Sequence, residues 1–194
     1  MKKVLSRLEY NSPVTLTFAI ISLVALILGN LTGGKSTTLL FCVYPSGFDD
    51  PFTYFRLFGH VFGHSNLEHY LNNMMMIFLM GPIVEEKYGG RLLVFMMAVT
   101  AFITGIANMV FFDQGLLGAS GIVFLLIVLA ATTSIKGDKI PITLILVLVF
   151  YLGEQIYSGL FTKDNISQFT HILGGICGWL FGTLIMKKRA AKSE

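Results

Sequence analysis

The sequence predicts an all-α polytopic membrane protein, from its composition, its apolar runs and its distribution of positive charge. Of the 194 residues, 54% are hydrophobic and 13% are charged, and the mean hydropathy is +0.73. Water-soluble domains average about a quarter charged residues, so the composition argues against a soluble globular domain. The length suffices for one domain. No basic patch with interleaved aromatic residues occurs, so nucleic acid is not an expected partner.

Six runs are apolar enough to cross a bilayer, whose hydrocarbon core of about 30 Å needs roughly 20 apolar residues per helix. Charged or turn-forming residues bound each run. Gly29 and Asn30 follow the first run, a connection over Asp113–Gly118 precedes the fourth, and a tight turn with Gly137 lies at the start of the fifth. The predicted spans are Val14–Leu28, Leu67–Val84, Leu92–Phe112, Ser120–Ile135, Ile140–Tyr157 and Phe169–Met186.

The positive charges predict that both termini lie inside, because short cytoplasmic loops retain Lys and Arg. With this orientation 11 of the 14 basic residues are on the inner side and 3 are outside. The inner residues are Lys2, Lys3, Arg7, Lys87, Arg91, Lys136, Lys139, Lys187, Lys188, Arg189 and Lys192, and the outer ones are Lys35, Arg56 and Lys163. The predicted organisation is one membrane domain over residues 1–194, N-in and C-in, with a basic cytoplasmic tail at 187–194.

The longest connection, about Gly29 to Asn66, is expected outside, between the first two spans. A solvated linker would be polar, whereas this loop is rich in aromatic residues. They include Phe48, Phe52, Tyr54, Phe55 and Phe58. We therefore expect the loop to pack on the membrane face or to dip into it.

Polar residues of three predicted spans fall at one depth, where each needs a partner or a role. His69 and Asn73 are four residues apart, so they share a helix face near the outer end of the second span. The 16 residues of the fourth span cover only about 24 Å, which places Ser120 at its start below the outer surface. His171 lies near the outer end of the sixth span.

A hydroxyl, an imidazole and two further donors are the groups of an acyl-transfer site: a nucleophile, a general base and stabilisers of an oxyanion. Ser120 stands among the small residues Gly118, Ala119 and Gly121. A helix start there offers free backbone N–H groups, and the small neighbours let another chain approach.

Each of these residues also has a purely structural interpretation. Ser120 could be a packing residue or a helix cap, and His171 could form an interhelical hydrogen bond. The same holds for His69 and Asn73. Their shared depth favours catalysis, because packing or capping alone does not predict it.

Two other kinds of site are possible. Glu154, in the fifth span, suits an ion or proton path, but a water-facing or paired side chain is the simpler interpretation, and no catalytic role is assigned to it. His60 and His64 could form a metal site with His69, but no Cys and no carboxylate pattern beyond the nearby Glu68 supports zinc. No metal is therefore expected.

Five segments of the chain form a set of motifs. They are Phe55-Arg56-Leu57-Phe58-Gly59-His60 with His64, His69-Tyr70-Leu71-Asn72-Asn73, Glu85 after the second span, Gly118-Ala119-Ser120-Gly121, and His171-Ile172-Leu173-Gly174 followed by Gly178. In order and spacing, these motifs resemble those of the rhomboid family of intramembrane serine proteases. The resemblance covers the chain from Val14 to Met186 and agrees with six spans.

The resemblance implies a six-helix rhomboid-like bundle that cleaves transmembrane segments near the outer face. Ser120 would be the nucleophile and His171 its base, while His69, Asn73 and the Ser120 backbone N–H would hold the oxyanion. The fifth span would be a lateral gate, and the resemblance implies neither a metal nor a nucleotide cofactor. The residues implied to pack the site are Gly118, Gly121, Phe124, Gly174 and Gly178, and those implied to support the outer loop are Arg56, His60 and His64.

One position departs from the family pattern. The family often has a Tyr four residues after the serine, where this chain has Phe124. Phe keeps the ring contact with His171 but lacks the hydroxyl, so we expect activity with a differently held His171. The alternatives are a catalytically inactive relative that binds membrane partners, and a small transporter sensitive to Glu154.

The expected partners are transmembrane protein substrates and the lipid bilayer. The expected location is a bacterial cytoplasmic membrane, where the chain would be an integral multi-pass protein. No residue pattern indicates an oligomeric state.

Overall fold

The computed structural model describes residues 10–132 and 165–190, together with positions 139, 142, 145, 146, 149, 150 and 153. The predicted fifth span, Ile140–Tyr157, lies outside the continuous described stretches. Glu154 and the basic residues of the first nine positions lie outside the described residues.

The described part of the chain is built from helices, which confirms the all-α class. They are α1 (Pro13–Leu31), α2 (Lys35–Leu40), α3 (Pro51–Gly59), a 3₁₀ turn (His60–Phe62), α4 (Leu67–Tyr88), α5 (Gly90–Phe111), α6 (Ser120–Thr132) and α7 (Asn165–Ala190). In residues 10–132 and 165–190, extended pairing is limited to one antiparallel bridge between Val43 and Leu116.

Among the described residues, three helical segments are long and apolar enough to cross a membrane: α1, α5 and Gln168–Ile185 of α7. They correspond to the first, third and sixth predicted spans. Helix α4 overlaps the second predicted span but contains several charged residues towards its ends. Helix α6 overlaps the fourth predicted span and is a shorter apolar helix of 13 residues. The six-span count and the N-in, C-in orientation remain predictions.

The start of α1 is tied to the end of α4 by a carboxylate. Ser12 precedes α1 but makes no capping hydrogen bond with its side chain. Instead, Glu85 accepts hydrogen bonds from the backbone N–H groups of Val14 and Thr15, at 2.8 and 2.9 Å, and from the Thr15 hydroxyl at 2.8 Å. A carboxylate at a helix N-terminus satisfies free N–H groups and complements the helix dipole.

Helix α6 lies at the centre of the described fold. It packs most extensively against α7 and also against α4 and α5. Ile122, Leu125 and Leu129 are fully buried, as expected for a helix that is apolar on all sides. Because α4, α5 and α7 surround these buried side chains, the first residue of α6, Ser120, lies among these helices.

Three glycines of α7 allow this close packing. A Cβ atom on Gly174 would overlap the carbonyl oxygen of Gly121, and one on Gly178 would lie 2.7 Å from the carbonyl oxygen of Leu125. A Cβ atom on Gly182 would likewise overlap the side chain of Thr132. Small residues at a spacing of four let two helix backbones approach along their length.

The outer loop forms α2, α3 and the 3₁₀ turn, and its aromatic side chains are largely exposed. Phe48, Tyr54 and Phe55 are each about half exposed. Exposed aromatic rings are suited to the boundary between lipid and water. The contact of this loop with the membrane remains a prediction.

Candidate active site

The N-terminus of α4 presents the first two polar residues of the site. The Asn66 side chain accepts a hydrogen bond from the backbone N–H of His69 at 2.8 Å, which caps the helix. One turn further on, Asn73 is buried, and its Nδ2 has no hydrogen-bond partner among the described residues. A buried donor without a partner costs about 1–3 kcal/mol, so its presence at this position calls for a function.

Gly118 lies directly against these two side chains. A Cβ atom at this position would be 2.8 Å from both Cε1 and Nε2 of His69 and 3.9 Å from Nδ2 of Asn73. The backbone of Gly118 also has a φ of +128°, which side-chain-bearing residues rarely adopt. Glycine is therefore required here both for space and for conformation, and the segment before Ser120 passes over His69 and Asn73.

Hydrogen bonds from two other parts of the chain hold this segment in place. The backbone N–H of Gly118 donates to the carbonyl oxygen of His60 at 3.0 Å. Val43 and Leu116 exchange backbone hydrogen bonds of 2.8 and 2.9 Å. The Asn108 amide donates to the carbonyl oxygens of Val43 and Gln114, at 3.2 and 3.0 Å. The approach to Ser120 is thus fixed by the outer loop and by α5.

Ser120 is the first residue of α6 and is partly buried. Regular hydrogen bonding begins just after it, because the N–H of Val123 donates to the carbonyl oxygen of Ala119 at 2.9 Å. The first N–H groups of a helix have no partner within the helix, and the helix dipole adds partial positive charge there. Negative charge that develops beside Ser120 would be stabilised.

His171 lies on α7 opposite the first turns of α6. Its ring is stacked on Phe124, with centroids 4.3 Å apart and ring planes 19° from parallel. Phe124 follows Ser120 by four residues, so the two share a helix face. A Cβ atom on Gly121 would meet Thr170 at 3.2 Å, so the turn with Ser120 packs on the turn with His171.

Arg56 organises the outer loop. Its side chain is fully buried and donates to Asp50 at 2.6 Å, to Thr53 at 3.0 Å and to Ser46 at 3.1 Å. The guanidinium also lies 4.5 Å from the centroid of the Tyr44 ring. The hydrogen bond from Arg56 holds the pKa of the Asp50 carboxyl below its usual range.

His60 and His64 are buried beneath this loop. Nδ1 of His60 bonds the Arg56 carbonyl oxygen at 3.2 Å, and its Nε2 lies 3.3 Å from the Thr104 hydroxyl. Burial lowers the pKa of His60 to about 4. Burial, and then the proximity of His69, lower the pKa of His64 to about 4. Both rings are uncharged at neutral pH.

The residues predicted from the sequence thus form two groups of contacts. In the first, Gly118 lies against His69 and Asn73. In the second, Phe124 stacks on His171, and Gly121 lies against Thr170, the residue before His171. Arg56, His60 and His64 lie in the loop that holds the Gly118 segment. In the part of the chain that the structure describes, no three His, Cys, Asp or Glu side chains form a group able to hold a metal.

Sequence reasoning missed the polar residues of α5. Thr104 contacts His60, and Asn108 holds the segment before Ser120. With Thr100 they form a buried polar row at a spacing of four within an otherwise apolar helix. Their spacing in the sequence could have predicted a buried polar face, because polar side chains on one face of a membrane helix need hydrogen-bond partners in the neighbouring parts of the chain.

Comparison with known proteins assigns the chain to a family. The family model described as the Rhomboid domain matches residues 51–188. The rhomboid protease GlpG of two strains of Klebsiella pneumoniae is 29% identical over 135 residues, which cover 69% of this chain and 48% of the relative. GlpG of Salmonella paratyphi A is 28% identical over 133 residues, or 69% of this chain and 47% of the relative. The chain thus spans about half the length of these curated relatives.

Proposed function

The chain belongs to the rhomboid family, and on this basis we propose that it is an intramembrane serine endopeptidase that cleaves transmembrane segments of membrane proteins near the outer membrane face. The observation that carries the proposal is the position of Gly118 against His69 and against Nδ2 of Asn73, which has no hydrogen-bond partner among the described residues. It supports the proposal because both side chains can donate hydrogen bonds beside the start of the helix that bears Ser120.

In the proposed reaction, Ser120 and His171 form the catalytic dyad. The Ser120 hydroxyl oxygen attacks the scissile carbonyl carbon while His171 takes its proton. The resulting tetrahedral intermediate collapses, the C–N bond breaks, and His171 gives the proton to the leaving amine. Water then attacks the acyl-enzyme with His171 again as base, which releases the carboxylate product and restores Ser120.

The oxyanion of each tetrahedral intermediate is proposed to bind three donors: the backbone N–H of Ser120, Nδ2 of Asn73 and Nε2 of His69. Asn73 supports this role because its buried Nδ2 has no other partner among the described residues. Preorganised donors of this kind need no rearrangement when charge develops.

The support for His171 as the base is its packing. Stacking on Phe124 fixes the plane of the ring, and the contact of Gly174 with Gly121 brings α7 to α6 at the level of Ser120. Aromatic stacking contributes about 0.5–1.5 kcal/mol beyond the area that it buries. The ring is thus held by contacts that need no hydroxyl at position 124.

The proposal includes the membrane organisation predicted from the sequence. The chain would be one membrane domain of six spans, N-in and C-in, in a bacterial cytoplasmic membrane. The three apolar segments of α1, α5 and α7 support the membrane location. The proposed substrates are transmembrane proteins, and Arg56, His60 and His64 would maintain the outer loop.

The test uses an active-site-directed fluorophosphonate, so no substrate has to be known. The purified protein, Ser120→Ala and His171→Ala are labelled in detergent, with Ser36→Ala as a control for loss of a serine hydroxyl in the outer loop, where it lies 2.9 Å from the Thr32 hydroxyl. We expect labelling of the wild type and of the control, and none of the other two variants.

Absence of wild-type labelling would contradict the proposal, provided that the protein is folded and a known family member is labelled in parallel. That result would favour a catalytically inactive relative that binds membrane partners. Labelling that survives in Ser120→Ala would show that another residue is the reactive nucleophile.

A further inference from the structure

We propose that Ser65 is a positioning residue that holds His69 in the tautomer with the proton on Nε2, the form able to donate a hydrogen bond to the oxyanion. The inference rests on the proposed function and adds a residue to it. Its starting observation is the hydrogen-bond distance of 3.2 Å between the Ser65 hydroxyl and Nδ1 of His69.

The surroundings of His69 fix which ring nitrogen faces the site. The Cε1–Nε2 edge of the ring lies against Gly118, and Nδ1 points to Ser65. The ring of His64 packs edge-on at a centroid distance of 5.0 Å. The backbone N–H of His69 is held by Asn66. A flip of the ring would therefore exchange its two nitrogens only by breaking the hydrogen bond with Ser65.

The chemistry then decides where the proton must be. A neutral imidazole carries one N–H, and its other nitrogen accepts. With the proton on Nδ1, Nε2 of His69 would present a lone pair to a developing oxyanion and repel it. When the Ser65 hydroxyl donates to Nδ1, the proton is left on Nε2.

His64 cannot supply this hydrogen bond in place of Ser65. Its Nδ1 lies 3.1 Å from the carbonyl oxygen of Phe62, and a carbonyl only accepts, so Nδ1 carries the His64 proton. The neutral ring then has no second N–H to donate to His69. The contact of His64 with His69 is through ring packing.

The first measurement is the tautomer itself. The chain contains only four histidines, so ¹⁵N spectra of ring-labelled protein at about pH 8 contain four imidazoles, and His69→Gln assigns the signal of His69. We expect a protonated Nε2 in the wild type and in Ser65→Thr, and a mixture of tautomers in Ser65→Ala. A wild-type His69 protonated on Nδ1, or an unchanged tautomer in Ser65→Ala, would overturn the inference.

The second measurement is the rate of fluorophosphonate labelling, whose adduct places an oxygen at the oxyanion position. Ser65→Ala should label about three- to tenfold more slowly, well below the 10²–10³ typical for loss of a whole oxyanion donor. Ser65→Thr should restore the rate, and Ser36→Ala should match the wild type. An unchanged rate in Ser65→Ala, or an equal loss in folded Ser65→Thr, would overturn the inference.

The two measurements separate this inference from the proposed protease. If the folded wild type is not labelled at all, the proposed function fails. The spectra still decide whether Ser65 sets the tautomer of His69.

Discussion

The ring of Phe124 lies flat on the ring of His171, at a centroid distance of 4.3 Å. This contact joins α6 to α7 one turn after Ser120, close to the contact of Gly174 with Gly121. A histidine with a free side chain would sample several rotamers. Stacking limits it to one plane, so residue 124 should influence how well His171 acts as a base.

Replacing Phe124 tests this contact. Phe124→Ala should lower the fluorophosphonate labelling rate about two- to tenfold, because a stacked aromatic pair contributes about 0.5–1.5 kcal/mol beyond its buried area. Phe124→Tyr keeps the ring and should label at the wild-type rate or faster. If the tyrosine variant leaves both the rate and its pH profile unchanged, a hydroxyl at position 124 is irrelevant here.

Gly118 should not tolerate any side chain. Gly118→Ala places a Cβ against Nε2 and Cε1 of His69 at a φ of +128°, and strained backbone of this kind costs about 1–3 kcal/mol. We expect labelling to fall at least about a hundredfold. Gly33→Ala is the matched control, since Gly33 also has a positive φ but has no atom within 4 Å of its added Cβ. Equal loss of labelling in both variants would contradict a specific role for Gly118.

Replacing Asn73 should impair labelling but not stability, whereas replacing Asn108 should lower stability. Asn73→Ala removes a donor with no partner among the described residues, so labelling should fall about 10²–10³-fold while the Tm stays the same or rises. Asn108→Ala removes two hydrogen bonds to carbonyl oxygens, worth about 1 kcal/mol each. Its Tm in detergent should fall. A lower Tm for Asn73→Ala than for Asn108→Ala would contradict this assignment.

Acid should destabilise the fold through its buried histidines. The pKa of His60 is about 4 in the folded protein because the ring is buried, against about 6.5 in an unfolded chain. Between these values the unfolded state binds more protons, so the free energy of unfolding falls as the pH drops from about 6.5 to about 4. Unfolding in detergent measured across this range should show a smaller pH dependence in His60→Gln. Identical slopes for the variant and the wild type would contradict the prediction.

Composition and periodicity alone predicted the all-α class and the three clearly apolar spans. A run of apolar residues between charges determines a membrane helix without reference to its neighbours, because every backbone polar group in lipid must be satisfied within the segment. The short motifs, taken together in their order from the Arg56 stretch to His171, also sufficed to predict the family. Each motif lies within one helix turn or one loop, where sequence spacing sets the geometry.

Only the tertiary structure showed which helix faces which. Spacing places His69 and Asn73 on one face of α4, but it does not show that Gly118 covers that face. Nor does it place Asn108 on the segment before Ser120, or Glu85 at the start of α1, 71 residues away from Val14. These contacts join distant parts of the chain, and close packing of the whole bundle decides them rather than the local preference of any segment.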